Sequence, residues 1–262
     1  MTITLTPYVQ GTLCHGNAWT IVNEDDLAQL VARLLLGQYR HVARIIAGAG
    51  GKAPASTSQT VGHIISLLTA APGAATWHRD GLLFQAISWV AAHRAASAGA
   101  LIRAPHLITA HKGFDGLQLE LGGHGTELAA AIIFEDKATE NPRSTITAKV
   151  WPELKTLEAG ERQNELLQEA TALLETVPGI DVDAVIETIA WKEVRRYRIS
   201  VTVSGPDAPD PSALYKGFDD IVTGGVDRRC GEVLQLPELR SWMKGFSARV
   251  IGALQSLAAA HV

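Results

Sequence analysis

The chain has 262 residues, of which 47% are hydrophobic and 19% charged, a composition typical of a soluble globular protein with a packed core. Its formal net charge of -4 excludes a global positive field, so nucleic-acid binding would need local basic patches, metal ions or a partner subunit. Cys14 and Cys230 match neither a zinc-ligand spacing nor a disulfide framework, which favours a reducing, cytoplasmic location. No signal peptide or membrane span is expected, because the longest apolar segment, residues 81–92, runs directly into His93 and Arg94.

The N-terminal part, residues 1–78, is predicted to be mainly helical. Residues 23–37 have apolar side chains at helical spacing, with Asn23 as a candidate N-cap and two aspartates in the first turn, where carboxylates complement the helix dipole. A second helical pattern occupies residues 61–68, after a loop of small residues.

The central part, residues 79–204, is predicted to contain a helix, three strands, a second helix and a fourth strand. In chain order these elements occupy residues 82–98, 100–108, 114–121, 128–137, 166–177 and 196–203. The three consecutive strands are separated by short turns, which indicates an antiparallel meander. In the last strand, apolar side chains alternate with polar ones that are expected to face outward.

The C-terminal part is predicted to be helical and to follow a stiff linker. Residues 205–212 contain three prolines, and Pro237 opens a helix with a continuous apolar stripe. This region, residues 213–262, is therefore expected to pack on the core or on a partner.

Charged residues follow an apolar run at the end of the third strand, in the order Glu135, Asp136 and Lys137. Buried charges are costly unless they are paired or bound to a metal. Because side chains alternate along a strand, Glu135 and Lys137 share one face and Asp136 lies on the other. We therefore expect Glu135 and Lys137 to belong to one site that excludes Asp136.

An antiparallel hairpin would bring Asp115 into the same site. With Leu121 opposite Ala129, the pairs are Leu119 with Ala131, Leu117 with Ile133, and Asp115 with Glu135. Two carboxylates about 5 Å apart at the backbone repel each other unless a cation lies between them. Oxygen ligands favour Mg²⁺ or Mn²⁺ over zinc, and Lys137 would orient a water molecule or stabilise charge on a phosphate.

This pattern of Asp115, a hairpin and the triplet Glu135-Asp136-Lys137 resembles the signature of the PD-(D/E)XK, or restriction-endonuclease-like, superfamily over residues 81–203. The resemblance implies an α/β fold whose core is a helix, three antiparallel strands, a helix and a further strand, here with helical N- and C-terminal additions. It also implies metal-dependent cleavage of DNA, less often RNA, with Asp115 and Glu135 as metal ligands and Lys137 as the catalytic lysine.

Further site residues are suggested by the same resemblance and by local charge. In some branches of the superfamily the helix after the third strand adds a polar residue, for which Gln163 is the candidate. Two basic clusters are candidates for nucleic-acid binding, one with Arg143 and Lys149 and the other with Arg196 and Arg198. Solvated helix and strand faces would have the same composition.

The sequence therefore predicts a Mg²⁺-dependent nuclease that acts on DNA in preference to RNA, with bacterial antiviral defence or restriction as its context by analogy. Since the net charge is acidic and no DNA-reading motif is visible, a homo-oligomer or a partner protein is expected to supply loading or specificity. Two alternatives remain open. One is that the fold serves as a non-catalytic binding or scaffold subunit, and the other is that the Glu-x-Lys strand is an ordinary solvated hairpin.

Overall fold

The computed structural model describes residues 2–69, 73–105, 113–122, 127–189, 192–207 and 210–259. Within these residues, seven strands form one mixed sheet in the order β1-β2-β7-β6-β5-β4-β3. The strands are β1 (Ile3–Gln10), β2 (Cys14–Ile21), β3 (Leu101–Ile102), β4 (Gly116–Gly122), β5 (Glu127–Lys137), β6 (Arg195–Ser204) and β7 (Arg229–Leu236). The four strands β2, β7, β6 and β5 are mutually parallel, and antiparallel strands close the sheet on both sides.

Helices cover both faces of this sheet. They are α1 (Glu24–Leu35), α2 (Tyr39–Ile46), α3 (Ser58–Leu68), α4 (Ala74–Ala95), α5 (Pro142–Thr145), α6 (Trp151–Glu158), α7 (Gln163–Leu174), α8 (Val182–Ile189), α9 (Pro211–Leu214), α10 (Phe218–Ile221) and α11 (Leu239–Ala259). A π-helical turn at Ile146–Val150 joins α5 to α6. Short 3₁₀ turns at Lys192–Val194 and Val226–Arg228 precede β6 and β7.

Two apolar cores result from this three-layer arrangement. On one face α1, α3, α4 and α11 pack against residues of β1, β2 and β7. On the other face α6, α7, α8 and the short helices α9 and α10 pack against β4, β5 and β6. None of the helices in the described ranges is both long enough and apolar enough to cross a bilayer.

Several locally encoded elements match their predictions. Asn23 caps α1, since its side chain accepts a hydrogen bond of 2.9 Å from the main-chain N–H of Asp26. The helix predicted after Pro237 is α11, and the helix predicted over residues 82–98 is α4, which begins earlier, at Ala74. The predicted strand at 100–108 is shorter, because β3 covers two residues and residues 106–112 lie outside the described ranges.

The prediction that the polar side chains of β6 face outward is wrong. Tyr197, Ile199 and Val201 alternate into one core as predicted, but Arg198 and Ser200 on the opposite face are also buried. Neighbouring parallel strands and helices on both faces enclose β6, as is usual for parallel strands. Period-two alternation identifies the two faces of a strand and does not reveal whether the second face meets water.

Three strands of the sheet were not predicted at all. β1 and β2 form an antiparallel hairpin within the N-terminal region that was expected to be mainly helical, and β7 lies in the expected helical C-terminal region. The parallel pairing of β2 with β7 joins residues 215 positions apart, such as Asn17 and Glu232. The sheet therefore extends beyond both ends of the predicted central part, because its pairing is non-local.

Gly231 lies where β7 passes beneath a tyrosine ring, and a Cβ atom there would approach Tyr215 Cε2 to 2.5 Å. We expect Gly231→Ala to lower the free energy of unfolding by about 1–3 kcal/mol through overpacking. The matched control is Gly245→Ala on the exposed side of α11, where a Cβ has no neighbour within 4 Å and the change should stabilise. Urea denaturation measures both, and equal effects would contradict this account of Gly231.

Candidate active site

The predicted site residues meet at one end of the β4–β5 pair. Asp115 directly precedes β4, and Glu135 and Lys137 lie at the end of β5. The predicted register is confirmed for Leu117 with Ile133. It fails at the far end of the hairpin, where a bulge after Glu120 shifts the pairing, so the register error does not reach the site.

Three donors hold the Asp115 carboxylate. Oδ1 accepts a hydrogen bond of 2.6 Å from Gln85 Nε2 of α4, and Oδ2 accepts one of 2.8 Å from the main-chain N–H of Asp136. Lys137 Nζ lies 3.3 Å from the same Oδ2 and also forms an ion pair with Glu135 Oε1. The lysine ammonium thus joins the two carboxylates that the sequence predicts to be neighbours.

The Asp136 side chain lies outside this site, as strand alternation predicts. Ser88 Oγ of α4 donates to Asp136 Oδ1 at 2.7 Å, and Arg198 Nη1 donates to Ser88 Oγ at 2.9 Å. Arg198 also forms a buried ion pair with Glu232. Gln85 and Ser88 are three residues apart on one helix, so α4 holds Asp115 and Asp136 with the same face.

A pocket of about 420 Å³ opens beside Asp115, Glu135 and Lys137. Its other charged lining residues are Glu153 of α6, Arg162, which directly precedes α7, and Glu165 of α7. Arg162 Nη1 donates to Glu153 at 2.8 Å, and Arg162 Nε and Nη2 donate to the Glu165 carboxylate at 2.8 and 2.7 Å. Four carboxylates against two cations leave a formal excess of two negative charges when all of them are ionised.

The pKa values of the central pair follow from burial and from each other. Burial first, and then the negative charge of Asp115, raise the pKa of Glu135 above its ordinary value. Burial alone would lower the pKa of Lys137, but the carboxylates of Glu135 and Asp115 more than offset it and raise that pKa. Lys137 is therefore a protonated hydrogen-bond donor and not a proton acceptor.

Gln163 is not among the residues that line this pocket, and its predicted role in the site stays a prediction. Successive residues of an α-helix are rotated by about 100°, so Gln163 lies on the same face as the buried Leu166, Ala170 and Leu174, whereas Glu165 lies beside that face. The pocket lies on the Glu165 side. The sequence analysis did not predict Gln85, Arg162 and Glu165 as site residues. The only local feature that could have indicated them is their position beside apolar helix stripes.

Most of the expected nucleic-acid-binding residues have internal partners. Arg143 Nη1 donates to the main-chain oxygens of Leu214 and Lys216, and Arg196 faces the carboxylates of Glu120 and Asp227. Only 6% of the Arg198 side chain is exposed, so it is not part of an open basic surface as we expected.

Lys149 is the exposed exception, one helical turn before Glu153. Of the four basic side chains predicted to bind nucleic acid, Lys149 is therefore the exposed one. His111 precedes Asp115 closely in the sequence, which makes it a candidate either for substrate contact or for a turn, and it lies outside the described residues.

Across the described ranges, no cluster of three or more His, Cys, Asp or Glu side chains has an arrangement that would hold a metal ion. No protein-family model matches the chain, and no curated protein matches it significantly. The fold and the site therefore define an α/β protein with a mixed sheet and a carboxylate-lysine pocket, and its activity has to be inferred from the chemistry of that pocket.

Without the ammonium group of Lys137, the repulsion between the carboxylates of Asp115 and Glu135 should destabilise the fold. We expect Lys137→Met to lower the free energy of unfolding by about 2 kcal/mol or more, since breaking a buried ion pair leaves an uncompensated charge. The double variant Glu135→Gln/Lys137→Met should recover most of this loss. Lys155→Met on the exposed side of α6 is the matched control and should change stability by less than about 0.5 kcal/mol.

The sign of the pH dependence provides a second check on the same variant. The folded-state pKa of Glu135 is raised, so its carboxyl contributes stability at low pH that is lost as the pH rises through that pKa. Lys137→Met should therefore be more damaging at about pH 8 than at about pH 5. A loss of stability that is the same at both values would contradict the assigned ion pair.

Proposed function

We propose that the chain is a Mg²⁺-dependent nuclease of the PD-(D/E)XK type that hydrolyses phosphodiester bonds of DNA. The observation that carries this proposal is the meeting of Asp115, Glu135 and Lys137 in one pocket, with Asp136 turned to the opposite face. The order α4, β3, β4, β5, α7 and β6 supports it, since β3 to β5 are antiparallel and β6 is parallel to β5.

The donor set suits Mg²⁺ or Mn²⁺. Magnesium in phosphoryl-transfer sites is commonly bound by one or two carboxylates, and water and substrate phosphate fill its remaining positions. Asp115 and Glu135 would hold the ion, and a divalent charge matches the formal excess of two negative charges in the pocket. When bound, the metal supplies charge neutralisation at the scissile phosphate and lowers the pKa of the attacking water.

The residues of the chain then have separate tasks. Hydrolysis joins the oxygen of water to phosphorus, with loss of one water proton to solvent, and breaks one phosphorus–sugar oxygen bond, whose departing oxygen takes up a proton from solvent. Lys137, being protonated, donates a hydrogen bond to a phosphate oxygen and stabilises the charge that develops there. Gln85 keeps the Asp115 carboxylate in a single orientation through its 2.6 Å hydrogen bond.

Loss of either central side chain should abolish cleavage. We expect Glu135→Gln and Lys137→Met to reduce the cleavage rate at least about 100-fold, the usual cost of removing a group that stabilises transition-state charge. The assay uses plasmid, single-stranded DNA and RNA in Mg²⁺ or Mn²⁺. Glu161→Gln and Lys155→Met, both exposed and outside the pocket, are the controls and should retain activity. Equal rates in all four variants would refute the catalytic assignment.

Metal binding has a readout that does not depend on turnover. Mg²⁺ or Mn²⁺ at about 100 times its dissociation constant should stabilise the fold by about 2.7 kcal/mol, because the ion binds only the folded state. Thermal unfolding with increasing metal concentration measures this shift. The shift should vanish in Asp115→Asn/Glu135→Gln and persist in Asp183→Asn, whose carboxylate is exposed on α8. Persistence in the double variant would place the metal elsewhere.

A second candidate function is a non-catalytic binding subunit with a nuclease-like fold. It is favoured by the internal partners of Arg143, Arg196 and Arg198, because three of the four side chains predicted to bind nucleic acid are engaged within the protein. Absence of cleavage with every substrate, together with absence of a metal-dependent shift, would support this alternative over the nuclease.

A further inference from the structure

A second and larger cavity, of about 790 Å³, lies between α2, α4, β3 and α7. Its size falls within the range of pockets that enclose small organic ligands. Its walls combine apolar side chains of α4, β3 and α7 with the polar side chains of Arg40, Arg103, Gln168 and Glu169. We call it the α4–α7 cavity.

The α4–α7 cavity adjoins the candidate active site. Glu165 lines both cavities, so the two share a wall on α7. Arg103 lies at the same boundary, since its Nη2 donates to the main-chain oxygen of Phe114 at 2.8 Å, next to Asp115. Arg103 also forms an ion pair with Glu169. A chain whose phosphate occupied the active-site pocket would thus have its neighbouring unit at the α4–α7 cavity.

An aromatic pair forms the α4 wall of this cavity. The ring centroids of Trp89 and His93 are 3.6 Å apart, and His93 Nδ1 lies 3.2 Å from the main-chain oxygen of Trp89. A carbonyl oxygen can only accept, so Nδ1 carries the proton and Nε2 is left as an acceptor. Burial lowers the pKa of His93 to about 4, so this ring is neutral at physiological pH.

The other wall supplies hydrogen-bonding groups. Gln168 is exposed on α7 and offers both a donor and an acceptor, and Glu165 and Glu169, whose carboxylates pair with Arg162 and Arg103, lie on the same stretch of helix. A planar ligand with a stacking face and a polar edge matches this combination. Nucleobases have that chemistry, and they stack readily on aromatic side chains.

We propose that the α4–α7 cavity binds the base of an unpaired nucleotide next to the phosphate that is cut, which makes single-stranded DNA the preferred substrate. This inference rests on the proposed nuclease function. A base inside a duplex would first have to leave its stack, at an energetic cost that a single strand avoids. The internal partners of Arg143, Arg196 and Arg198 have the same consequence, because duplex binding depends on many phosphate contacts and these three arginines already bind groups of the protein.

Blocking the cavity tests the proposal without disturbing the core. Ala172 lines the cavity and is exposed on α7, so Ala172→Trp fills the cavity from the solvent side. Asn164→Trp places the same side chain on an exposed position of α7 outside both pockets. Binding is measured by fluorescence anisotropy with a labelled single-stranded oligodeoxynucleotide and the matching duplex, in EDTA so that no cleavage occurs.

We expect wild type to prefer the single strand, Ala172→Trp to bind it about tenfold or more weakly, and Asn164→Trp to match wild type. Equal affinity of wild type for strand and duplex, no measurable strand binding, or an unaffected Ala172→Trp variant would each overturn the proposal. Cleavage assays separate this outcome from the nuclease assignment. If the protein cleaves DNA in a metal-dependent manner and Ala172→Trp binds the single strand as wild type does, the nuclease assignment stands and the base-binding site is contradicted.

The aromatic wall has its own pair of variants. His93→Ala removes the stacking face and should weaken strand binding about tenfold, whereas His93→Phe keeps an aromatic ring and should restore most of it. Thermal unfolding of both variants checks that the fold is retained. Equal binding by His93→Ala and wild type, with both folded, would exclude stacking on this wall.

Discussion

The ion pairs of Lys137 with Asp115 and Glu135 are the interaction on which the candidate site depends. They allow two carboxylates to approach each other at the end of the β4–β5 pair, where burial and repulsion would otherwise favour protonation. They also keep the lysine protonated. In the proposed nuclease function, the two carboxylates would hold a hard cation and Lys137 would donate a hydrogen bond to a phosphate oxygen.

Helix α4 connects this site to the other face of the sheet. Gln85 holds Asp115, and Ser88, on the same helix face, joins Asp136 to the buried guanidinium of Arg198. Arg198 in turn pairs with Glu232 on β7. A displacement of α4 would therefore disturb the carboxylates of Asp115 and Asp136 at once. The buried hydrogen bonds of Ser88, Asp136 and Arg198 oppose such a displacement, because buried groups that lose their partners cannot bind water instead.

The distribution of positive charge restricts what the protein binds. Arg143 holds main-chain oxygens near α9, Arg162 spans two carboxylates at the pocket, and Arg196 and Arg198 face acidic residues. These arginines stabilise the fold, so they are not an electrostatic track for a duplex. The proposed stacking of a base on the Trp89–His93 pair would be an uncharged source of affinity, which suits the acidic net charge of the chain.

The sequence by itself determined the features that depend on local periodicity. The Asn23 cap, the apolar stripe of α11 and the separation of Asp136 from Glu135 and Lys137 all follow from helical or strand geometry within a few residues. Only the tertiary structure decided which faces meet water and which charges pair. The β2–β7 pairing, the burial of Arg198 and the roles of Gln85, Arg162 and Glu165 join distant segments, and no local pattern specifies such contacts.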